Sequence, residues 1–329
     1  MEIRFSELRH DADVARALGT TIDALARYAK AADQSGFYTT IRLPKQSRKR
    51  PGEYRTVYKA EQPLALLHKN IASAIAAATT FEDHVQGFVS KRSIVTNARV
   101  HLGQKLLLHA DIHHFFESIT IDQVHAALRS LGCNAEVARL LAGVCTRNAR
   151  LPEGSNSSPI LANLVGRFLD ADLKNLARAH GCHYTRYADD ITFSGDEVPD
   201  CAQVAAILQQ YGFALRDGRC RTQRRGRAQY VTGLTISDPR GPHIPRRMKR
   251  RLRLELYYAT RYGLRGHLAR TNSRRSPAQE LNRLGGWISF MSSVEGRQAT
   301  QRFHETWSRL DSRETRVENG DSKPGEQSE

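Results

Sequence analysis

The chain has 329 residues, 40% of them hydrophobic, and 50 Lys/Arg stand against 34 Asp/Glu for a net charge of +16. That length supports a sizeable core and two or three structural units, and that charge favours a polyanionic partner, nucleic acid first. Five cysteines (Cys133, Cys145, Cys182, Cys201, Cys220) without C-x-x-C spacing speak against a disulfide framework or zinc site and fit a reducing, cytoplasmic setting. Met1 to His10 lacks the apolar core of a signal peptide, and the longest apolar run, near 71–78, is too short to span a bilayer, so no membrane partner is expected.

In chain order, residues 1–35 read as helical, with Thr21 capping a helix over 22–32 that puts Leu25, Tyr28 and Ala29 on one face. Residues 37–60 read as strands around a basic loop, Lys45 to Gly52. A helix over 63–78 turns Leu64, Leu67, Ile71 and Ile75 inward. A hydrophobic strand, Lys105 to Ala110, leads to Asp111. Thr120-Ile121-Asp122-Gln123 is a capping box that opens another helix. Pro159 suits the first turn of the next, and Gly181 its stop. A hairpin, a helix near 202–211 and a strand over 230–237 follow. Strands and helices in this mixed order predict an α+β unit rather than a doubly wound sheet. From Pro245 the text turns basic: between 245 and 310 there are 15 Lys/Arg and four Asp/Glu, with Met248, Leu252 and Leu256 on the opposite helical face. A solvated charged face is the usual reading of such a run, but its density here suggests a nucleic-acid clamp. Residues 311–329 are polar and read as disordered.

The chemistry concentrates in Tyr187-Ala188-Asp189-Asp190, between the β-prone runs 183–186 and 191–194. This predicts a hairpin with paired carboxylates at its tip and Asp111 as a distant third. Oxygen ligands of this kind suit two Mg²⁺ ions in phosphoryl transfer.

This box resembles the catalytic turn of reverse transcriptases. Leu108 to Ile119 resembles the family's first catalytic box, and Leu151-Pro152-Glu153-Gly154 with Ser158-Pro159 resembles its L-P-x-G…S-P loop. Asn97-Ala98-Arg99-Val100-His101 and Val231-Thr232-Gly233 match the N-A-x-x-H and V-T-G signatures of bacterial retron reverse transcriptases. The resemblance spans roughly residues 37 to 295. It implies a right-hand polymerase: an N-terminal helical extension over 1–35, fingers over 36–104, palm (an antiparallel sheet packed on helices) over 105–150 and 167–240, a fingers/palm loop and helix start over 151–166, and a basic helical thumb over 241–310.

The resemblance also implies roles. Asp111, Asp189 and Asp190 are the catalytic, metal-holding carboxylates, with the Ile112 carbonyl as an extra ligand. Phe116 is the sugar gate that excludes a 2′-hydroxyl, and Phe115 the core residue of the two. Lys45, Arg55, Gly154 and Arg219 face the incoming deoxynucleoside triphosphate, with Arg48 or Arg50 as substitutes within the basic loop between Lys45 and Arg55. Asn97, His101, Val231, Thr232, Gly233, Arg246, Arg247, Arg250 and Arg251 face RNA or primer. Asn97 and His101 serve equally well as a capping Asn and a packing His, and Val231-Thr232-Gly233 as a plain strand with a bulge. Glu153 stands where many relatives carry glutamine, so a carboxylate faces and repels the triphosphate unless it is paired or protonated. Arg219 stands where a lysine is usual, and arginine holds its proton too firmly for a general acid. Arg186 has no assigned role, and His113 and His114 read as exposed polar positions.

The implied activity is RNA-directed DNA synthesis on a cognate structured noncoding RNA. It is primed from an RNA 2′-hydroxyl to give branched multicopy single-stranded DNA, in anti-phage defence with an effector protein. Two other readings stay open. One is another bacterial reverse transcriptase lineage, of abortive-infection or diversity-generating type. The other is a noncatalytic nucleic-acid-binding scaffold that restrains an effector.

Overall fold

The computed structural model describes residues 3–30, 35–44 and 52–318, and the chain divides into two compact units, Met1–Arg227 and Ala228–Glu329. The first unit begins with helices α1 (Asp11–Leu18) and α2 (Ile22–Lys30). Thr21 caps α2 as its sequence predicts, its hydroxyl accepting the Ala24 N–H at 3.1 Å. Strands β1 (Tyr38–Pro44) and β2 (Tyr54–Ala60) pair antiparallel, Tyr38 opposite Ala60. Helix α3 (Leu64–Ala78) buries Leu64, Leu67, Ile71 and Ile75, the stripe its period predicts. Helix α4 (Ile94–Val100) starts at Ser93, whose hydroxyl accepts from the Val95 and Thr96 amides.

Strand β3 (Leu106–Asp111) follows, then α5 (Phe115–Ser118), α6 (Ile121–Ser130) and α7 (Ala135–Cys145). The predicted capping box is present at α6: Thr120 accepts from the Gln123 amide, and the Gln123 side chain accepts from the Thr120 amide. Helices α8 (Ser158–Val165, with Pro159 in its first turn) and α9 (Arg167–Ala179) precede β4 (His183–Tyr187) and β5 (Asp190–Gly195). Helix α10 (Cys201–Gln210) and β6 (Arg221–Arg224) complete the unit.

β3 to β6 form one antiparallel sheet ordered β4-β5-β3-β6. Leu108, Ala110, Tyr184, Ile191 and Phe193 bury one face of it in the same core as Val124 and Leu128 of α6, Leu169 and Leu173 of α9, and Val204 and Leu208 of α10. That packed face fixes the register.

The second unit opens with β7 (Tyr230–Val231) and β8 (Leu234–Thr235), then three helices, α11 (Arg246–Arg270), α12 (Pro277–Glu295) and α13 (Arg297–Glu318), which pack on one another. Helix α11 is interrupted at Gly263, whose φ of 70° and ψ of 165° lie outside the helical region. Arg283 on α12 ties the helices together, donating to Glu280 at 2.6 Å and also to Glu255 on α11.

Three expectations are corrected. Residues 230–237 are not one strand: Thr232 (φ 46°) and Gly233 (φ 82°) make a two-residue turn between Val231 and Leu234. Positive φ at both central positions is what such a tight hairpin requires. This turn lies in the second compact unit, which starts at Ala228. The tail expected from 311 is helical to Glu318, because Leu310 is buried and the Trp307 indole donates to the Leu281 carbonyl at 3.0 Å. Once those turns are packed, each further residue adds a helical hydrogen bond at small cost. Finally, Cys201 and Cys220 form a disulfide with Cα atoms 5.9 Å apart. The fold brings the start of α10 beside the approach to β6, a meeting that short-range cysteine spacing does not reveal. Cys133, Cys145 and Cys182 are free, and burial pushes their thiols up to about 11, about 12 and about 11, which leaves them poorly reactive. Among the described residues no helix is long and apolar enough to cross a membrane.

Candidate active site

The register of β3 on β5 sets Asp111 directly opposite Asp190. Strand β4 returns with Tyr187 opposite Asp190, so Ala188 and Asp189 form the two-residue tip of the predicted hairpin. Ala188 holds φ at 58°, a left-handed conformation that is uncommon for a residue with a side chain. The Ile112 amide donates to the Asp189 carbonyl at 2.9 Å, which ties the tip to the end of β3. On the other side, the Arg216 amide donates to the Asp111 carbonyl at 2.8 Å and the His113 amide to the Ala214 carbonyl at 2.8 Å. Three carboxylates are thereby gathered from two strands and one turn.

Their electrostatics record the crowding. Withdrawal from water raises Asp111, the Asp189 charge pushes the same way, and Arg216 and Arg219 oppose both. Asp111 Oδ2 lies 3.7 Å from Arg216 Nη1, while its Oδ1 is buried without a hydrogen-bond partner. Partial withdrawal of the carboxyl from water pushes Asp190 up to about 7, with Asp189 and Asp111 acting in the same direction against Arg219. Asp190 as a whole residue is exposed, so carboxylate crowding is the component that a bound cation would relieve. Among the described residues no three His, Cys, Asp or Glu side chains form a ready-made metal site. The orphaned Asp111 oxygen and the all-oxygen donor set nevertheless fit Mg²⁺, which is usually held by one or two carboxylates together with substrate phosphates rather than by a closed protein cage.

Around this centre the other expected residues divide. Phe115 is buried and Phe116 half-buried, its ring 6.1 Å from that of Phe88. Glu153 is paired: Arg55 forms an ion pair with it, and that bond, with a smaller contribution from Asp189, holds the Arg55 guanidinium above its ordinary value. Gly154 (φ 104°) packs against β2, where an added Cβ would lie 3.1 Å from the Tyr58 carbonyl oxygen. Arg219 is exposed, and its charge reaches both Asp111 and Asp190. Lys45, Arg48 and Arg50 lie outside the described residues. His113 and His114 are exposed, and His114 Nδ1 meets Glu117 Oε2 at 2.9 Å.

Asn97 and His101 are not on an RNA-facing surface. Both are buried, and the His101 ring bridges the two strands of the hairpin, with Nδ1 2.6 Å from Ser194 Oγ and Nε2 2.7 Å from Thr185 Oγ1. The packing reading of this histidine therefore replaces the RNA-contact reading, since two hydroxyls on adjacent strands flank a ring shut off from water. In the second unit, Val231 is buried, and an added Cβ at Gly233 would meet nothing within 4 Å. The turn's positive φ is what calls for Gly233. Arg246, Arg247, Arg250 and Arg251 are all exposed on α11.

Sequence reasoning missed Arg216, whose only signal was its place three residues before Arg219. It also missed the surroundings of Arg186. That side chain is fully buried and bonded to Asp170 through Nε and Nη2, each at 2.7 Å.

Residues 43–220 match the family model described as reverse transcriptase (RNA-dependent DNA polymerase). The chain is 34% identical over 277 residues to the retron Mx65 reverse transcriptase of Myxococcus xanthus, covering 77% of this chain and 64% of that protein. It is 28% identical over 290 residues to the retron Mx162 reverse transcriptase of the same organism, covering 77% and 59%. Against the retron Ec86 reverse transcriptase of Escherichia coli the identity is 28% over 252 residues, covering 74% and 72%. The matched region thus spans about three fifths of the two Myxococcus proteins.

Proposed function

This chain belongs to the reverse transcriptase family, among the bacterial retron enzymes, and from that membership we propose that it is an RNA-directed DNA polymerase. The sheet β4-β5-β3-β6 with its helices is read as the palm, β1 and β2 as part of the fingers, and α11 to α13 as the thumb. One observation carries the reading: Asp111 meets the Asp189-Asp190 tip across a single antiparallel register, and one of its buried carboxylate oxygens has no partner.

Asp111 and Asp189 would hold two Mg²⁺ ions, with Asp190 and the Ile112 carbonyl in support. Bound there, the ions would lower the pKa of the primer hydroxyl and neutralise charge on the triphosphate. The chain's own residues supply the rest. Phe116 fills the space beneath the sugar C2′ and leaves no room for a 2′-hydroxyl. Arg55, Lys45, Gly154 and Arg219 receive the triphosphate. Arg219 acts as an electrostatic clamp on the leaving group. Glu153 is tolerated beside an anionic substrate because Arg55 neutralises it.

Helix α11 offers both kinds of nucleic-acid contact. Its exposed arginines suit phosphates, and its exposed Tyr257, Tyr258 and Tyr262 suit bases or sugars. Following the retron resemblance, the template is a structured noncoding RNA. Priming from a guanosine 2′-hydroxyl gives a branched RNA–DNA product, and the setting is anti-phage defence with an effector protein.

The test is primer extension on RNA with deoxynucleoside triphosphates. Asp111→Asn and Asp189→Asn should each abolish synthesis while RNA binding persists. Synthesis retained in either variant removes the carboxylate assignment.

A further inference from the structure

The geometry points to Arg186 as the positioning residue that holds the Tyr187–Asp190 turn in its reactive shape, an inference that rests on reading that turn as a polymerase active site. Arg186 stands at the end of β4, two residues before the tip, and its side chain runs behind the hairpin. Its guanidinium is used in three directions. Nε and Nη2 grip Asp170 on α9 at 2.7 Å each, and Nη1 donates to Asn163 Oδ1 on α8 at 3.2 Å. The same Nη1 donates to the carbonyl of Ala188 at 3.2 Å. Asp170 in turn accepts from the Tyr184 hydroxyl at 2.7 Å. Asp170 is 1% exposed, and Asn163 and Arg186 0%, so the bonds among these three side chains are buried.

A second contact closes the turn from the opposite side. The Gln86 and Gly87 amides donate to the Arg186 carbonyl at 2.8 and 3.4 Å, and the Arg186 amide donates to the His84 carbonyl at 2.8 Å. Residues 84–87 are therefore strapped along β4. Asn163 holds the end of that strap, its Nδ2 donating to the Gly87 carbonyl at 2.8 Å. Gly87 itself abuts the tip: an added Cβ would stand 2.5 Å from the Ala188 nitrogen. Ala188 is thus pinned by Arg186 at its carbonyl and by Gly87 at its nitrogen.

This explains how alanine keeps a φ of 58° there. A left-handed, side-chain-bearing residue persists where its surroundings over-determine it. The directions of Asp189 and Asp190 follow from that backbone. Lysine is no substitute at 186, because a single ammonium on a flexible stem lacks the planar fork that reaches Asp170, Asn163 and the Ala188 carbonyl together. Asp170 also cancels most of the arginine's charge, so the brace adds little positive field to a site built for cations.

Two variants separate positioning from folding. Arg186→Lys weakens the brace directly. Gly87→Ala leaves the Arg186–Asp170 pair intact and presses a methyl group on the Ala188 nitrogen. In each, kcat for RNA-templated synthesis should fall by about 100-fold, the scale of a displacement of about 1 Å at a reacting centre. KM for the nucleotide and RNA affinity should stay near wild type. Amide exchange at Ile112, whose N–H is bonded to the Asp189 carbonyl, should quicken by about tenfold while the rest of β3 stays protected. Full kcat and unchanged Ile112 exchange in a folded Gly87→Ala protein would overturn the inference. So would an Arg186→Lys loss of activity that merely follows melting, with Ile112 exchange no faster than its strand neighbours. Wild-type protein and Asp189→Asn run alongside: an inactive wild type or an active Asp189→Asn takes down the polymerase reading and this inference with it, whereas an active wild type with indifferent brace variants takes down this inference alone.

Discussion

His101 takes the packing role that its sequence left open beside an RNA contact, and its burial makes a measurable claim. Replacing the imidazole with an aliphatic side chain (His101→Leu) removes the bonds to Ser194 and Thr185 and strands two buried hydroxyls. At about 1–3 kcal/mol for each buried polar group left unsatisfied, His101→Leu should lower unfolding stability by about 2–6 kcal/mol. The ring also sets a pH dependence. Burial drives its pKa down to about 3 from the ordinary 6.5, with the charges of His183 and His109 adding to the effect. The unfolded chain therefore takes up a proton that the folded chain refuses. The stability contributed is complete above pH 6.5 and is lost as pH falls toward the folded value. Between pH 7.5 and 5.5 the loss from this one ring is about 1.4 kcal/mol, set by the unfolded value alone because the folded value lies far below both. His68, buried and held at about 4, should add a similar loss. Urea unfolding at the two pH values checks this: wild type should lose about 1.4 kcal/mol more than His101→Leu, a difference that cancels the other groups titrating there, His68 and the oppositely acting Asp190 among them. RNA affinity of the variant, measured in the cold where it is folded, should match wild type. Unchanged stability together with weakened RNA binding would refute the buried-support reading.

Three further outcomes follow from the site. Phe116→Ala should raise ribonucleotide use relative to deoxynucleotide use by about 10- to 100-fold, and an unchanged sugar preference in competition assays would place the gate elsewhere. Arg55→Gln, which strands Glu153 beside the triphosphate, should raise the nucleotide KM by about fivefold, the scale of a half-exposed charge pair, and adding Glu153→Gln should recover most of it. Neutralising Arg246, Arg247, Arg250 and Arg251 together should weaken RNA binding and flatten its log–log salt dependence by about 2–3, and indifference of both would remove α11 from the RNA interface.

How far the sequence could be read depended on whether the informative contact was local. The hairpin was legible because two β-prone runs flank two adjacent aspartates, and α6 because Thr120 and Gln123 spell out their own reciprocal cap. The α3 stripe was legible because a packed face leaves a period in the text. The Arg186–Asp170 pair left no such mark. Asp170 is one polar residue among several on α9, and only the packing of α9 against β4 turns it inward. Val231 and Thr232 favour a strand by local preference, yet Thr232 is held at φ 46° and ends one. Local preference there yields to the hairpin it sits in. The cysteine pair, 19 residues apart, was invisible for the same reason.

Burial also explains how so many charges coexist around one tip. A fully buried guanidinium whose Nη1 reaches the Ala188 carbonyl would ordinarily discourage cations; here the Asp170 fork neutralises that charge locally. Arg55 and Glu153 likewise cancel each other. What remains around the tip is the trio Asp111, Asp189 and Asp190 against Arg216 and Arg219, a net negative charge of one once Asp190, pushed up to about 7, has ionised. A site of that balance repels a triphosphate on its own. Two divalent ions would reverse its sign, so nucleotide affinity should depend on metal more steeply than RNA affinity does, because the exposed α11 arginines carry their own charge.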